Sequence, residues 1–510
     1  MNGADTQIEG IEKHLYLYIL EMVQRLFCML LEKIDTLVWG PWLLILLLGT
    51  GIYLMILLKF LPLKRLGAAL ALAFGGEGKR KSGGQGKRIR DGGGQVSSFA
   101  SLTTELAATI GTGNIVGVVT AMMLGGPGAL FWMVLTSLFG MAVKLVESSL
   151  AVKYRGHNEK GEKAGGPMYT CVNGLQNKKL GKVLGLLFAM FAVMASFGMG
   201  NMTQSNAIAD ALRVSFGTDK ASTGLFVSIL TILVVLGGIG SIAKVTQVLV
   251  PFMGGFYLLG TIAVILTHWR NVPGSLVGIL LAAFCPQAVS GGILGTITVN
   301  AFTSLRWGVS RGIFSNEAGL GAAGITAAAA DTEDYVRQGY ISMTGVFLDT
   351  VVMCSLTGLA LAVSGVLGGT SGILSENTGV VSEVSGVLLE TSGVEMENGT
   401  ELILAVFRTT FGKRADGFIS ISIALFAFAT IVGWAYQGER AFEFLMGGRT
   451  KFNIWYRFAY GLIAFLGCIL SLDTVWTLSD ICNGLMAVPN LICVLLLSRG
   501  ICKEIREWKE

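Results

Sequence analysis

Apolar residues fall in long runs separated by short charged segments, and eleven runs match the roughly 20 residues of helix that a bilayer's hydrocarbon core takes. They cover residues 37–61, 98–124, 128–152, 183–210, 222–242, 245–267, 275–303, 340–368, 416–437, 455–471 and 474–498. The pattern predicts an all-α polytopic membrane protein with eleven transmembrane helices. A further apolar stretch, Leu15–Leu31, carries Glu21 and Arg25 four apart on one helical face, which favours a helix lying in the interface over a twelfth span. It lacks the cationic start and small-residue cleavage site of a signal peptide, so it is expected to be retained.

Two of the runs are interrupted. Ala107-Ala-Thr-Ile-Gly-Thr-Gly-Asn-Ile-Val-Gly117 lies in a stretch without charge from Leu106 to Val143, and Ser290-Gly-Gly-Ile-Leu-Gly295 lies in another from Asn271 to Leu305. In hydrocarbon each unpaired backbone group costs several kcal/mol, so a helix opens there only where something else takes up its amides and carbonyls. A polar ligand and a cation are the obvious candidates. Glycine also serves close helix packing, which alone could account for either interruption. Two interruptions, each with five spans in its own half of the chain, favour a transport site.

Composition agrees: of 510 residues, 52% are hydrophobic and 14% charged, with 70 glycines. The excess of +5 is distributed by topology. Lys59, Lys64, Arg65, Lys79, Arg80, Lys81, Lys87, Arg88 and Arg90 place the connection after the first span in the cytoplasm. Alternation then puts the N-terminus outside, the acidic segment 365–401 outside and the C-terminus inside. The basic run 78–90 lacks interleaved aromatics and calls for no nucleic acid. The eight cysteines are scattered and only three histidines exist, so a zinc site, a disulfide framework and a histidine relay are not indicated. Gly-Gly-Gln-Gly-Lys87 lacks the spacing of a phosphate loop. An ion channel would need a continuous polar pore or a ring of like charges, and a membrane enzyme a nucleophile with its base or a set of metal ligands. The sequence offers neither pattern, and no cofactor beyond a co-transported ion is expected.

The first interruption can be given chemical roles. If its first half ends near Ile110, the last carbonyls can meet a hard cation, while the amides of Thr112 and Gly113 open the second half and suit a carboxylate. Glycines at 111 and 113 allow close approach to the backbone. Asn114 is placed either against the ligand or in a hydrogen bond between helices. In Asn201-Met-Thr-Gln-Ser-Asn206, Gln204 is a candidate for the substrate's polar end, with interhelical bonding the alternative. Thr430 and Trp434 share a helical face, a hydroxyl for a cation beside either a bulky pocket wall or ordinary packing. Glu105, Asp349 and the neighbours Lys144 and Glu147 are charged residues within spans, where ionisable groups suggest function. Gating or vestibule electrostatics suits Glu105 better than direct ion binding. Ser315 and Asn316 are expected to cap an inner helix.

The chain also resembles a known family, the alanine or glycine:cation symporters, usually sodium-coupled. The matching stretches are Val38-Trp-Gly-Pro-Trp-Leu-Leu-Ile-Leu-Leu-Leu-Gly-Thr-Gly-Ile-Tyr53, Leu106-Ala-Ala-Thr-Ile-Gly-Thr-Gly-Asn-Ile-Val-Gly117, Gly125-Gly-Pro-Gly-Ala-Leu-Phe-Trp-Met133 and Gly165-Gly-Pro-Met-Tyr169. Further matches are Arg311-Gly-Ile-Phe-Ser-Asn-Glu-Ala-Gly-Leu-Gly321, Gly433-Trp-Ala-Tyr-Gln-Gly-Glu-Arg440 and Asn483-Gly-Leu-Met-Ala-Val-Pro-Asn490. Thr170, Gln247 and Gln437 depart from the family pattern, as does the acidic insertion 369–401.

The resemblance implies two inverted five-helix repeats, residues 98–267 and 268–498, with discontinuous first and sixth core helices. The rest divides into an N-terminal segment 1–36, an accessory helix 37–61, a basic cytoplasmic loop 62–97 and a cytoplasmic tail 499–510. It further implies that Thr112 and Gly113 bind a substrate carboxylate, that Ala107, Ile110 and Thr430 hold sodium, and that Gly291 and Gly292 line the pocket from the opposite repeat. The expected activity is import of a small neutral amino acid, alanine or glycine, coupled to sodium across the cell membrane. Coupling to protons, or a different amino acid, is the alternative.

Overall fold

The computed structural model describes residues 29–75, 95–284, 301–367, 395–470 and 473–509. These are almost wholly helical, because a segment in hydrocarbon satisfies its backbone groups most simply within itself. Among them, eight helices are long and apolar enough to cross a membrane. They are Met29–Leu57, Gly128–Lys153, Lys178–Phe216, Gly238–Thr267, Tyr335–Val363, Arg414–Leu445, Thr450–Ile469 and Thr477–Glu507.

The other three expected spans differ for separate reasons. Residues 98–124 divide into Ser98–Thr109 and Val116–Gly125. Residues 222–242 form Lys220–Leu236 and turn at Gly237 into the next helix. Residues 275–303 begin as Val272–Phe284, pass outside the described residues and continue as Ala301–Asn316. The second interruption, with Gly291 and Gly292, therefore lies outside the described residues, as does nearly all of Leu15–Leu31.

Local chemistry sets several boundaries. The Ser97 hydroxyl accepts the Ala100 amide at 3.1 Å and starts the first broken helix. Asn177 caps Lys178–Phe197 in the same way, accepting from Lys179 and Leu180. Within two spans the helix widens into π turns, Gly198–Met202 and Phe347–Cys354, a distortion found often at functional sites.

Gly128–Lys153 packs against the accessory helix Pro41–Leu57, Ala301–Asn316 and Tyr335–Val346. The accessory segment is also pinned to the last span, where the Trp39 indole donates to the Asp480 carbonyl at 3.0 Å. Arg414–Leu445 packs on Ser98–Thr109 and on both straight parts of Lys178–Phe216. Gly433 permits that approach, since a Cβ there would lie 2.6 Å from the Ala108 amide nitrogen.

Two segments read as loops contain helices. The acidic insertion runs into Glu395–Phe411, whose Gly399 lies against Val116 and Thr120 of the second half-helix. The basic connection begins with Leu61–Lys64 and Leu66–Phe74. Glu395–Phe411 sets its glutamates ahead of its apolar stretch, and Leu66–Phe74, though uncharged, is too short to span a membrane.

Candidate functional site

The first broken helix opens as its glycines indicate. The Gly111 amide, which would continue the ladder to the Ala107 carbonyl, donates instead to Asn114 Oδ1 at 2.9 Å. The Asn114 amide in turn donates to the Gly111 carbonyl at 3.2 Å rather than to Ile110. The carbonyls of Ala107 and Ile110 have thus each lost the amide four residues on, the partner that a regular helix supplies. A single 3₁₀ turn, Thr112–Asn114, then leads into Val116–Gly125.

Two neighbouring helices bring side chains to this opening. The Thr430 hydroxyl donates to the Phe426 carbonyl at 3.1 Å, which leaves its lone pairs free. That oxygen lies so close to Gly111 that a Cβ at 111 would be 2.4 Å from it and 3.6 Å from Gln204 Oε1. Gln204 follows the π turns of its span. It accepts the Thr112 hydroxyl at 3.1 Å and donates to the Met199 carbonyl at 3.2 Å. Gly111, Thr112, Gln204 and Thr430 therefore meet at one place, and all four are buried.

Gly113 faces the helix Ala301–Asn316. A Cβ there would meet Phe314 at 3.6 Å and Ser315 at 3.7 Å, ordinary contact distances. Trp434 lies one turn beyond Thr430, fully buried, and packs closely against Gly200. Its indole N–H donates to Glu317 Oε1 at 3.0 Å.

Asn114 is committed within the protein. Its Oδ1 takes the Gly111 amide, and its Nδ2 donates to Asp349 Oδ1 at 2.7 Å and Ser315 Oγ at 3.0 Å. Asp349 also accepts the Ser315 and Thr350 hydroxyls, both at 2.8 Å. This network ties the opened turn to the sixth and seventh core spans. Ser315 and Asn316 stand at the end of a helix, not at the start of one as the sequence suggested. Asn316 Oδ1 accepts the Ala318 amide at 2.9 Å in the turn that leaves it.

Lys144 lies nearer to Glu105, at 3.5 Å, than to Glu147, at 4.0 Å. Helical spacing showed only the Glu147 pairing, because Glu105 comes from another span. Glu147 is held separately by the Asn490 side chain at 3.0 Å and the Gly319 amide at 3.3 Å. With Lys144 and Glu105 both 1% exposed, removing the ammonium strands charge in a low-dielectric interior. Lys144→Met is expected to lower stability by about 3–5 kcal/mol, the usual cost of breaking a buried pair. Thermal unfolding in detergent would measure it, and an unchanged midpoint would show that the pair contributes nothing.

Glu317 is a functional candidate that the reading of single residues did not pick out. Its signal was present in the motif Arg311-Gly-Ile-Phe-Ser-Asn-Glu-Ala-Gly-Leu-Gly321, but its partner is 117 positions away.

Comparison with known proteins identifies the family. The sequence model of the sodium:alanine symporter family matches residues 24–510. The chain is similar to the sodium/alanine symporter AgcS of Methanococcus maripaludis, 43% identical over 484 residues that cover 95% of this chain and 98% of that one. It is 32% identical to the probable sodium/glutamine symporter GlnT of Bacillus subtilis, over 93% of this chain and 89% of that one. In fold it resembles MhsT in complex with L-phenylalanine, with a TM-score of 0.53 at 12% identity, covering 79% of this chain and 89% of that one. A sodium-coupled sialic acid symporter gives 0.50 at 12% identity, covering 91% and 98%. The fold is that of the sodium-coupled symporters, and the protein is a transporter, not an enzyme. The chain belongs to the sodium:alanine symporter family.

Proposed function

We propose that this protein imports a small neutral amino acid, alanine or glycine, together with sodium by alternating access. The observation that carries the reading is the meeting of Thr430 Oγ1 with Gly111, beside the Ala107 and Ile110 carbonyls that the broken helix has released. Neutral, hard oxygen donors suit an alkali cation. The amides of Thr112 and Gly113 head the second segment, where helix-start amides lack internal partners and attract a carboxylate. Gln204, beside Thr112, would orient the substrate's polar end. Trp434 would close the side-chain end of the pocket and limit its size. Asn114 serves this site from behind, holding the turn open through Gly111 and anchoring it to Asp349. The N-terminus lies outside the cell membrane and the C-terminus in the cytoplasm.

Uptake of labelled alanine, glycine and glutamine into proteoliposomes, with and without a sodium gradient, tests the whole reading. Alanine or glycine uptake that is indifferent to sodium would overturn it. The pocket wall has its own test. Trp434→Phe should admit larger neutral amino acids, with discrimination changing by about 1–3 kcal/mol, the scale of one methylene in such a pocket. Competition assays should show a broader profile. The same profile with a less stable protein would assign Trp434 to packing.

A further inference from the structure

Glu317 occupies a costly position with little to compensate it. It is the first residue beyond Ala301–Asn316, and its amide still bonds to the Ile313 carbonyl at 2.8 Å. Its φ of 54° is left-handed, the conformation that helix ends usually give to glycine. Gly319 and Gly321, just downstream, take up the same region at φ 92° and 86°. A carboxylate here is 1% exposed. Its Oε2 has no hydrogen-bond partner among the described residues, and its Oε1 receives the Trp434 indole N–H. A strained, buried and half-satisfied acid calls for a functional account.

Trp434 supplies that account. At one end of the side chain, Gly200 lets the indole approach so closely that a Cβ at 200 would be 2.5 Å from Trp434 Cβ and Cγ. At the other end Glu317 holds the ring nitrogen. The backbone carrying Glu317 is itself fixed, because the Gly319 amide donates to Glu147 and the Asn490 side chain donates to the Gly319 carbonyl at 2.9 Å. The ring is thus clamped between a glycine on one span and a carboxylate on the turn after another.

We infer that Glu317 is a positioning residue that sets substrate size by fixing the Trp434 indole. The inference rests on the reading of Trp434 as the pocket wall. Without its acceptor, the ring regains rotamers that enlarge the side-chain end of the pocket, so Glu317 acts on selectivity without touching the substrate.

The test compares the kcat/KM of alanine with that of a larger neutral amino acid such as leucine in proteoliposomes, a ratio independent of how much protein is active. Glu317→Ala is expected to lower the ratio of alanine to leucine by about tenfold, the change also expected of Trp434→Phe. Glu317→Gln retains an acceptor oxygen and should stay close to the wild-type ratio. The double variant Glu317→Ala with Trp434→Phe should match Trp434→Phe alone, because both changes remove one interaction. If Glu317→Ala does not reach the membrane, Glu317→Asp serves in its place. It draws the carboxylate back by one methylene and should lower the ratio where Glu317→Gln does not. A ratio that shifts in Trp434→Phe but not in the Ala or Asp variant would overturn the inference and leave the pocket wall standing. A ratio that shifts equally in the Gln variant, or additively in the double variant, would also overturn it. No shift in Trp434→Phe would remove the wall and this inference together.

Discussion

Gly111→Ala is expected to abolish sodium-dependent uptake while the protein still reaches the membrane. The added methyl would lie 2.4 Å from Thr430 Oγ1, well inside contact distance. Relief would need Arg414–Leu445 to move away, but that helix is held against the same broken helix at Gly433, where the Ala108 backbone leaves no slack. Thr430 must instead turn out of the site, or the opened turn must close. Either change removes the proposed sodium ligands, and overpacking of this kind costs about 1–3 kcal/mol before any lost coordination is counted. Uptake should fall on the order of 100-fold or more. Gly113 provides the contrast, since its surroundings accept a Cβ at 3.6 Å. Gly113→Ala should fold and transport weakly. Gly113→Val should not transport, because its second branch stands where the carboxylate approaches and resists the opened backbone. Near-normal uptake by Gly111→Ala would show that Thr430 and the broken helix do not form the ion site. Near-normal uptake by Gly113→Val would remove the carboxylate site.

How much of this was legible in the sequence depended on whether the signal was local. The opening at Gly111 could be read because Gly-Thr-Gly-Asn stands in a long charge-free run, and helix breaking is a property of a few consecutive residues. Thr430 and Trp434 could be placed on one face by their spacing alone. The partners of Asn114 could not, since Ser315 and Asp349 arrive from two other spans. The same distance in sequence hid the nearer partner of Lys144. It also hid the role of Glu317, which its φ and its bond to Trp434 mark out. Glu395–Phe411 escaped notice because its glutamates precede the apolar stretch Leu402–Phe407, so neither half alone has the pattern of a membrane span.

Thr430→Val should raise the sodium concentration for half-maximal uptake by about tenfold, with transport recovered at saturating sodium. Valine keeps the shape of threonine and removes the hydroxyl that lies on Gly111, so packing against the broken helix survives while one proposed ligand is lost. The remaining donors, the Ala107 and Ile110 carbonyls, have no group that titrates near neutral pH. Proton coupling would therefore have to use a carboxylate, and Glu105 stands one turn before Thr109 on the same half-helix. Its charged neighbour is Lys144, which Glu147 also faces. Glu105→Gln should accordingly keep uptake dependent on sodium, with any loss appearing as lower stability. The decisive measurement drives proteoliposomes with a pH gradient in the absence of sodium. If wild-type protein accumulates alanine under that gradient and Glu105→Gln does not, the coupling role belongs to the carboxylate, and the Thr430 site must be given up as the seat of the driving ion.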